Sequence, residues 1–172
     1  MKRYLILLIF FFSATVINAQ NIPSADAVLK TAYQQAAKEK KKVFLIFHAS
    51  WCGWCRDMDS TMNYPALKPY FDKYFVITHL TVYESEGKKH LENAGALEFL
   101  TARGGANQGI PFWIILDPNG KTLADSQMKP GENSGRPATP EEVAHFVTVL
   151  EKTSAITAEQ KSIVVKKFTK EQ

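Results

Sequence analysis

The feature that most constrains the fold is a pair of cysteines that follows directly after a short, continuous apolar run. Residues 43–47 read Val-Phe-Leu-Ile-Phe, and Cys52 and Cys55 come shortly after them. An unbroken run of β-branched and aromatic residues is typical of a strand that is buried on both faces of a sheet. From Cys52 the pattern becomes helical, as far as about Met62. The sequence therefore predicts a buried strand that delivers two cysteines to the first turn of a helix.

The spacing of these cysteines suits thiol–disulfide exchange. That reaction needs one accessible thiolate and a second thiol close enough to resolve the mixed disulfide. At a helix N-terminus, unpaired N–H groups and the positive end of the dipole favour a thiolate at Cys52. Cys55 lies three residues later, on the same helix face and one turn deeper. We therefore predict that Cys52 is the nucleophile and Cys55 the resolving cysteine.

Other uses of a Cys-x-x-Cys pair fit this sequence less well. A c-type haem site would require a histidine after the second cysteine, and Arg56 occupies that position. A purely structural disulfide would close too small a loop to stabilise the fold much. A structural zinc site would need two further ligands, and the four histidines lack paired ligand spacing (His48, His79, His90, His145). One alternative function stays open, in which the cysteines hold a copper or zinc ion for delivery to another protein.

The rest of the pattern alternates helices and strands. Helices are predicted at about 25–40, 66–73, 88–102 and 139–153, with a last one opening at Thr157. Further strands are predicted at 75–82, 111–116 and 121–127, and a loop at 128–138. This order implies a mixed central sheet covered by helices on both faces, which is an α/β architecture.

The stretch Phe-His-Ala-Ser-Trp-Cys-Gly-Trp-Cys, which ends at Cys55, is accompanied later by Ile110-Pro111 and a hairpin. Together these motifs resemble the thioredoxin superfamily, and especially exported bacterial thioredoxin-like proteins, over about residues 25–153. The resemblance implies a thioredoxin-like fold and thiol–disulfide oxidoreductase activity. It also implies that the Ile110–Pro111 bond is cis, that Pro111 faces the cysteines and that the backbone of Ile110 is exposed to substrate.

Three residues of the cysteine motif join Ile110 and Pro111 in the predicted substrate-binding set: Trp51, Gly53 and Trp54. The two tryptophans could form an apolar rim on which partner chains dock. Gly53 and Trp54, which separate the cysteines, supply no histidine to stabilise a thiolate. A less stabilised thiolate predicts a comparatively reducing couple.

The sequence departs from the thioredoxin pattern beneath the second cysteine. Ile46 occupies the position where thioredoxins have a buried aspartate, so the usual proton acceptor for Cys55 is missing. His79 aligns approximately with the buried lysine of the family and is a candidate for proton transfer. A histidine held by structural hydrogen bonds is the more frequent arrangement. His48, in place of a family aromatic residue, is predicted to serve packing.

The N-terminus predicts export. Residues 1–19 combine two basic residues, an apolar stretch and a small residue at the end, as a secretory signal peptide does. The apolar stretch is too short to span a bilayer, so we expect no stable membrane insertion after cleavage; a retained anchor is the weaker alternative. The mature chain, residues 20–172, is predicted to be a single periplasmic or secreted domain with a helical extension from about residue 154.

Charge and cysteine content limit the partners. The formal net charge is +4, and removal of Lys2 and Arg3 with the signal peptide leaves about +2, which is too little for a nucleic-acid binder. No cofactor is expected, because the Cys52–Cys55 disulfide is itself the redox group. We expect a monomer that acts on protein thiols and disulfides and receives electrons from an unidentified donor protein.

Overall fold

The central element is a four-stranded mixed sheet with the strand order β2-β1-β3-β4. The computed structural model describes residues 22–169, and the predicted signal peptide lies outside them. β1 pairs in parallel with β2 and antiparallel with β3, and β3 pairs antiparallel with β4. The strands are β1 (Lys42–His48), β2 (Phe75–Thr81), β3 (Phe112–Leu116) and β4 (Thr122–Asp125).

Six α-helices and one 3-10 helix surround the sheet in the described part of the chain. They are α1 (Ala25–Glu39), α2 (Gly53–Met62), α3 (Lys68–Tyr74), the 3-10 helix (Glu86–Leu91), α4 (Ala96–Ala102), α5 (Pro140–Thr153) and α6 (Ala158–Phe168). Thr139 and Thr157 begin α5 and α6 with complete capping boxes, in which each threonine accepts a backbone N–H. None of the helices within residues 22–169 has the length and apolarity needed to cross a membrane.

β1 carries the core on both of its faces. Phe44 and Ile46 pack with side chains of α2, α3, α5 and α6, whereas residues 43, 45 and 47 pack with α1 and α4. All five residues of the run are fully buried. Successive side chains of a strand point to opposite faces, so a strand covered on both sides must be apolar throughout. The predicted mixed sheet with helices on both faces is confirmed.

The predicted continuous helix at 88–102 is wrong. The chain forms the 3-10 helix and α4 instead, separated by a break around Asn93. The side chain of Asn93 accepts the backbone N–H of Thr81 at 2.7 Å and donates to the carbonyl of Pro23 at 2.7 Å. These contacts hold the backbone against the end of β2 and interrupt the helix, although the apolar spacing on either side is helical.

The predicted loop at 128–138 also differs from the structure. It contains most of a second hairpin, formed by β5 (Gln127–Lys129) and β6 (Glu132–Asn133). Its turn contains Pro130-Gly131, and Gly131 has the left-handed φ of 83° that glycine adopts without steric penalty. A Pro-Gly pair between short polar strands is turn chemistry that could have predicted this hairpin.

Arg136, to which the sequence analysis assigned no role, connects α6 with α2. It is 5% exposed, and its Nε lies 2.8 Å from Oδ2 of Asp57 on α2. The guanidinium also donates to the backbone carbonyls of Lys167, at 3.2 Å, and of Phe168 at the end of α6. A buried charge is tolerated when it is paired and hydrogen-bonded in this way.

Candidate active site

Cys52 and Cys55 are joined by a disulfide at the start of α2. The S–S distance is 2.00 Å and the Cα atoms are 5.3 Å apart. Cys52 is the N-cap residue, with extended backbone angles of φ −74° and ψ 104°. The backbone N–H of Cys55 points at Sγ of Cys52, with an N–S distance of 3.1 Å. An N–H group in this position would also stabilise a thiolate on Cys52 once the disulfide is reduced.

Both cysteines are covered in the disulfide form, with Cys52 3% and Cys55 1% exposed. They pack against Ala49 and Ile110. Sγ of Cys52 lies 3.7 Å from the carbonyl oxygen of Ile110, a van der Waals contact because a disulfide sulfur has no hydrogen to donate. The exposed fractions are too similar to separate nucleophile from resolving cysteine, so position at the helix N-terminus is what distinguishes them.

The Ile110–Pro111 peptide bond is cis, as the resemblance implied. Asn133, the last residue of β6, holds the segment around it. Its Nδ2 lies 3.1 Å from the carbonyl oxygens of Gln108 and Pro111 and 3.3 Å from that of Gly109. Asn133 was not among the predicted site residues, because it lies within the segment that was predicted as an irregular loop.

The two tryptophans of the motif are exposed but have different surroundings. Trp51 is 56% exposed, and its Nε1 donates to the carbonyl of Tyr83 at 2.8 Å. Trp54 is 52% exposed and lines a groove of about 350 Å³ together with residues 108–111 and 133–135. Of the predicted rim, Trp54 therefore lies beside Ile110 and Pro111, whereas Trp51 rests on the loop after β2.

Gly53 has no steric need to be glycine. A Cβ added there would meet only the end of the Arg56 side chain, at 3.8 Å, which is an ordinary contact. Its φ lies outside the left-handed region. Nothing in the backbone of α2 therefore explains why a glycine follows Cys52.

A buried carboxylate, Glu84, contacts the loop that precedes Cys52. Glu84 is 3% exposed; its Oε1 accepts the backbone N–H of Ser50 at 2.5 Å and its Oε2 accepts the Ser50 hydroxyl at 2.8 Å. Burial opposes ionisation, but the two hydrogen bonds from Ser50 and the positive charge of Lys88 outweigh it and lower the pKa of Glu84. Glu84 was not among the predicted site residues, since nothing in the local pattern marks an acid after a strand as buried.

The two histidines near the sheet edge have hydrogen-bond partners. Nε2 of His79 lies 2.9 Å from Oδ1 of Asp59 on α2, and Nε2 of His48 lies 3.2 Å from the hydroxyl of Thr81. The two rings are 4.9 Å apart between centroids. Burial, and then the neighbouring His79, lower the pKa of His48. His79 pairs across the sheet with Ile46, the residue that replaces the family aspartate.

Within residues 22–169, no cluster of three or more histidine, cysteine, aspartate or glutamate side chains is arranged to hold a metal ion. In the described part of the chain, a metal ion bound by Cys52 and Cys55 would therefore have only their two thiolates as side-chain ligands.

The sequence model of the thioredoxin-like family matches residues 25–118, which is more than half of the chain. The chain belongs to the thioredoxin-like family. With a redox-type cysteine pair at disulfide distance in this fold, the thioredoxin-like protein is a thiol–disulfide oxidoreductase, as predicted. The match ends before β4, so the second hairpin, α5 and α6 lie beyond it.

Solved structures resemble the chain at low sequence identity. A disulphide isomerase from Xylella fastidiosa is 22% identical over 72% of this chain and 88% of its own, with a TM-score of 0.53. A thioredoxin from Thermus thermophilus is 17% identical over 71% and 80%, with a TM-score of 0.44. The oxidised C-terminal domain of DsbD from Neisseria meningitidis is 21% identical over 77% and 98%, with a TM-score of 0.43. No curated protein matches the chain at a significant level.

Proposed function

We propose that this thioredoxin-like protein acts in the periplasm on disulfides of other proteins, as a reductant or an isomerase. The observation that carries the proposal is the position of Cys52, whose sulfur meets the N–H of Cys55 at the start of α2 and lies 3.7 Å from the Ile110 carbonyl. A thiolate on Cys52 would thus lie beside the backbone of Ile110, which is half-buried. The compartment rests on the predicted signal peptide.

The proposed reaction starts from the dithiol form. The Cys52 thiolate attacks a substrate disulfide, the substrate S–S bond breaks, and a mixed disulfide forms while one substrate thiolate leaves. Cys55 then loses its proton and attacks the Cys52 sulfur, which forms the Cys52–Cys55 disulfide and releases the second substrate thiol. Two electrons pass to the substrate. A donor protein must return them, and the cycle needs no bound cofactor.

The walls of the site support a role in binding extended polypeptide. The backbone of Ile110 lies next to Cys52, and Trp54 extends the apolar surface along the groove. An extended segment that hydrogen-bonds to the Ile110 backbone would place its sulfur over Cys52. We assign Trp51, Gly53 and Pro111 to the same binding surface.

For proton transfer at Cys55 we propose His79 together with Asp59. Asp59 lies four residues after Cys55, hence on the same side of α2, and its carboxylate contacts His79 at 2.9 Å. This pair would take over the function of the aspartate that Ile46 replaces. A role in proton transfer predicts that His79→Gln slows resolution of the mixed disulfide without slowing attack by Cys52.

The test is the behaviour of the two cysteine variants in insulin reduction, with dithiothreitol as electron donor. Cys52→Ser should reduce the rate to the uncatalysed background, because the nucleophile is lost. Cys55→Ser should keep the attack but accumulate mixed disulfides with substrate, which gel electrophoresis without reductant detects. If alkylation near neutral pH labelled Cys55 before Cys52 in the reduced folded protein, the assignment of roles would be wrong.

Titration of the reduced protein with Cu⁺ and Zn²⁺ separates this function from metal delivery. The proposed reductase should catalyse insulin reduction and bind Zn²⁺ only weakly, since two thiolates leave the usual tetrahedral zinc site incomplete. Tight stoichiometric binding without insulin reduction would favour delivery. A reporter enzyme that is active only after export, fused after residue 24, tests the compartment.

A further inference from the structure

We propose that Glu84 is a positioning residue for thiol–disulfide exchange, which holds the loop before Cys52 in place when the disulfide is open. The inference rests on the proposed dithiol–disulfide cycle and adds to it a residue outside the cysteine motif. Four observations on the loop lead to it.

First, Glu84 binds Ser50 at two points. One carboxylate oxygen accepts the backbone N–H and the other accepts the hydroxyl, at 2.5 and 2.8 Å. Ser50 lies two residues before Cys52, in the loop between β1 and α2. Hydrogen bonds to an ionised acceptor are roughly twice as strong as those between neutral groups. The carboxylate therefore fixes both the backbone and the side chain of the loop.

Second, Glu84 is itself held firmly. Its backbone N–H donates to Oε1 of Glu92 at 2.7 Å, and Glu92 is paired with Lys89 at 3.0 Å. The residue before it, Tyr83, has a left-handed φ of 55° and accepts the indole N–H of Trp51. The chain after β2 thus contacts Ser50 and Trp51, two consecutive residues of the loop.

Third, Glu84 is the only buried acidic side chain among residues 22–169. Burying an ionised carboxylate is unfavourable unless its oxygens are hydrogen-bonded. Ser50 supplies these hydrogen bonds, and Lys88 approaches the same hydroxyl at 3.4 Å. If Ser50 moved away, the carboxylate would lose both donors, so the loop and the acid stabilise each other's position.

Fourth, the need for this contact depends on the redox state. In the oxidised protein the disulfide ties Cys52 covalently to α2. In the reduced protein that bond is absent, and the loop depends on hydrogen bonds such as those that Ser50 donates to Glu84 and the one that Arg56 donates to the Ser50 carbonyl at 2.9 Å. Loss of Glu84 should therefore destabilise the dithiol form more than the disulfide form.

The direction of the expected change in the redox equilibrium follows from this difference. A variant that destabilises the dithiol form more makes the disulfide harder to reduce, so its couple becomes more reducing. A pure charge effect would act in the opposite direction, because removing a negative charge near Cys52 favours its thiolate and hence the dithiol form. The sign of the shift therefore distinguishes positioning from electrostatics.

The experiment equilibrates the full mature protein with glutathione buffers and measures the fraction oxidised. Glu84→Ala should shift the equilibrium about tenfold toward the disulfide, which corresponds to about 30 mV. Glu84→Gln keeps an acceptor for the Ser50 N–H and a donor for its hydroxyl, and should stay within about twofold of wild type. Glu86→Ala, which removes an exposed acid two residues later, at the start of the 3-10 helix, is the matched control and should also match wild type.

Thermal unfolding of both redox forms completes the test. Glu84→Ala should lower the unfolding midpoint of the reduced protein more than that of the oxidised protein. Equal loss in both forms with an unchanged redox equilibrium would show a merely structural residue, and a shift toward the dithiol form would show a charge effect; either overturns the proposal. If Glu84→Ala does not fold, Ser50→Ala removes only the hydroxyl contact and should shift the equilibrium about threefold toward the disulfide, whereas no shift would count against positioning. These measurements use no protein substrate, so failure of insulin reduction is a separate result.

Discussion

Two segments flank the cysteine pair, and we call them the motif wall and the proline wall. Different contacts hold them in place. The motif wall is Ser50 and Trp51: the buried carboxylate of Glu84 accepts the backbone N–H of Ser50, and the carbonyl of Tyr83 accepts the indole N–H of Trp51. The proline wall, Ile110 and Pro111, is fastened by the neutral amide of Asn133. Glu84 carries a charge and lies within the segment that matches the family model. Asn133 is uncharged and lies outside that segment. We therefore expect the contacts of the motif wall to depend on pH and those of the proline wall to be independent of it.

The chemistry of the two fastening groups explains this difference. A carboxylate only accepts hydrogen bonds while it is ionised, and it loses part of that capacity when protonated. The amide of Asn133 does not titrate, and its two N–H groups are shared among three backbone carbonyls at 3.1 to 3.3 Å. Its donor capacity is thus fully used, which makes the proline wall sensitive to any loss of a donor.

The largest effect is expected from Asn133→Asp, which breaks the proline wall. An ionised carboxylate has no hydrogen to donate to the three carbonyls and would repel them, so we expect a loss of about 3 kcal/mol or more in unfolding free energy and at least about tenfold in insulin reduction. Asn133→Ala leaves the carbonyls without a donor but adds no charge, and should lose about 1 to 3 kcal/mol. Urea unfolding and the insulin assay measure both quantities.

Asn119→Asp, which adds a charge in the exposed turn between β3 and β4, is the control and should change neither quantity appreciably. An Asn133→Asp protein as stable and as active as wild type would show that the amide does not hold the proline wall.

The sequence predicted the chemistry of the cysteine pair, but it did not predict the roles of Glu84 and Asn133. A buried strand and a capped helix are local patterns, so residues 42–48 and the cysteine pair could be placed from sequence alone. The contacts of Glu84 and Asn133 link residues that are far apart along the chain, to Ser50 and to the segment around Pro111. Such pairings depend on how the elements pack, and no local periodicity records them.

The same reasoning explains the two errors in the fold. The spacing of apolar residues at 88–102 is helical, but the side chain of Asn93 binds the end of β2 and interrupts the helix. At 128–138 the strands are only two or three residues long, too short for an alternating pattern to be visible. The Pro130-Gly131 turn was the one local signal for this hairpin.

Replacing the tryptophans should have an intermediate effect, on KM for insulin, and the two variants should differ because each tryptophan lies beside a different wall. Trp54 lines the groove beside the proline wall, so Trp54→Ala should raise KM for insulin about three- to tenfold with little change in kcat. Trp51 is anchored to Tyr83 on the other side, and Trp51→Ala should raise KM less. Steady-state kinetics with insulin, and with a small disulfide as control, measure KM and kcat separately for each variant. A larger KM effect from Trp51 would place the polypeptide on the motif wall instead.

The smallest effect concerns pH and the motif wall. The folded protein lowers the pKa of His48 below its usual 6.5, so the unfolded chain binds this proton more readily, and stability should fall as the pH drops below about 6.5. The pKa of Glu84 is lowered from 4.5, so the stability it contributes is present above that value and is lost at lower pH. Both shifts make the folded protein less stable in acid.

The measurement is the unfolding free energy between pH 5 and pH 7. His48→Gln should flatten the dependence, whereas His90→Gln, an exposed histidine in the 3-10 helix, should leave it as it is. An unchanged slope in the His48 variant would assign the acid sensitivity to another group.

Arg136 links the segment that matches the family model to helices that lie beyond it. Its guanidinium contacts both Asp57 on α2 and the carbonyl of Phe168 at the end of α6. Asp57, which lies near the cysteine pair, is thereby connected to a residue more than a hundred positions later in the chain. A chain shortened after α5 would deprive this buried cation of the carbonyls of Lys167 and Phe168 and would expose the side chains against which Phe168 packs. During synthesis, which proceeds from the N-terminus, the helix that Cys52 caps therefore reaches its final packing only after α6 has been made.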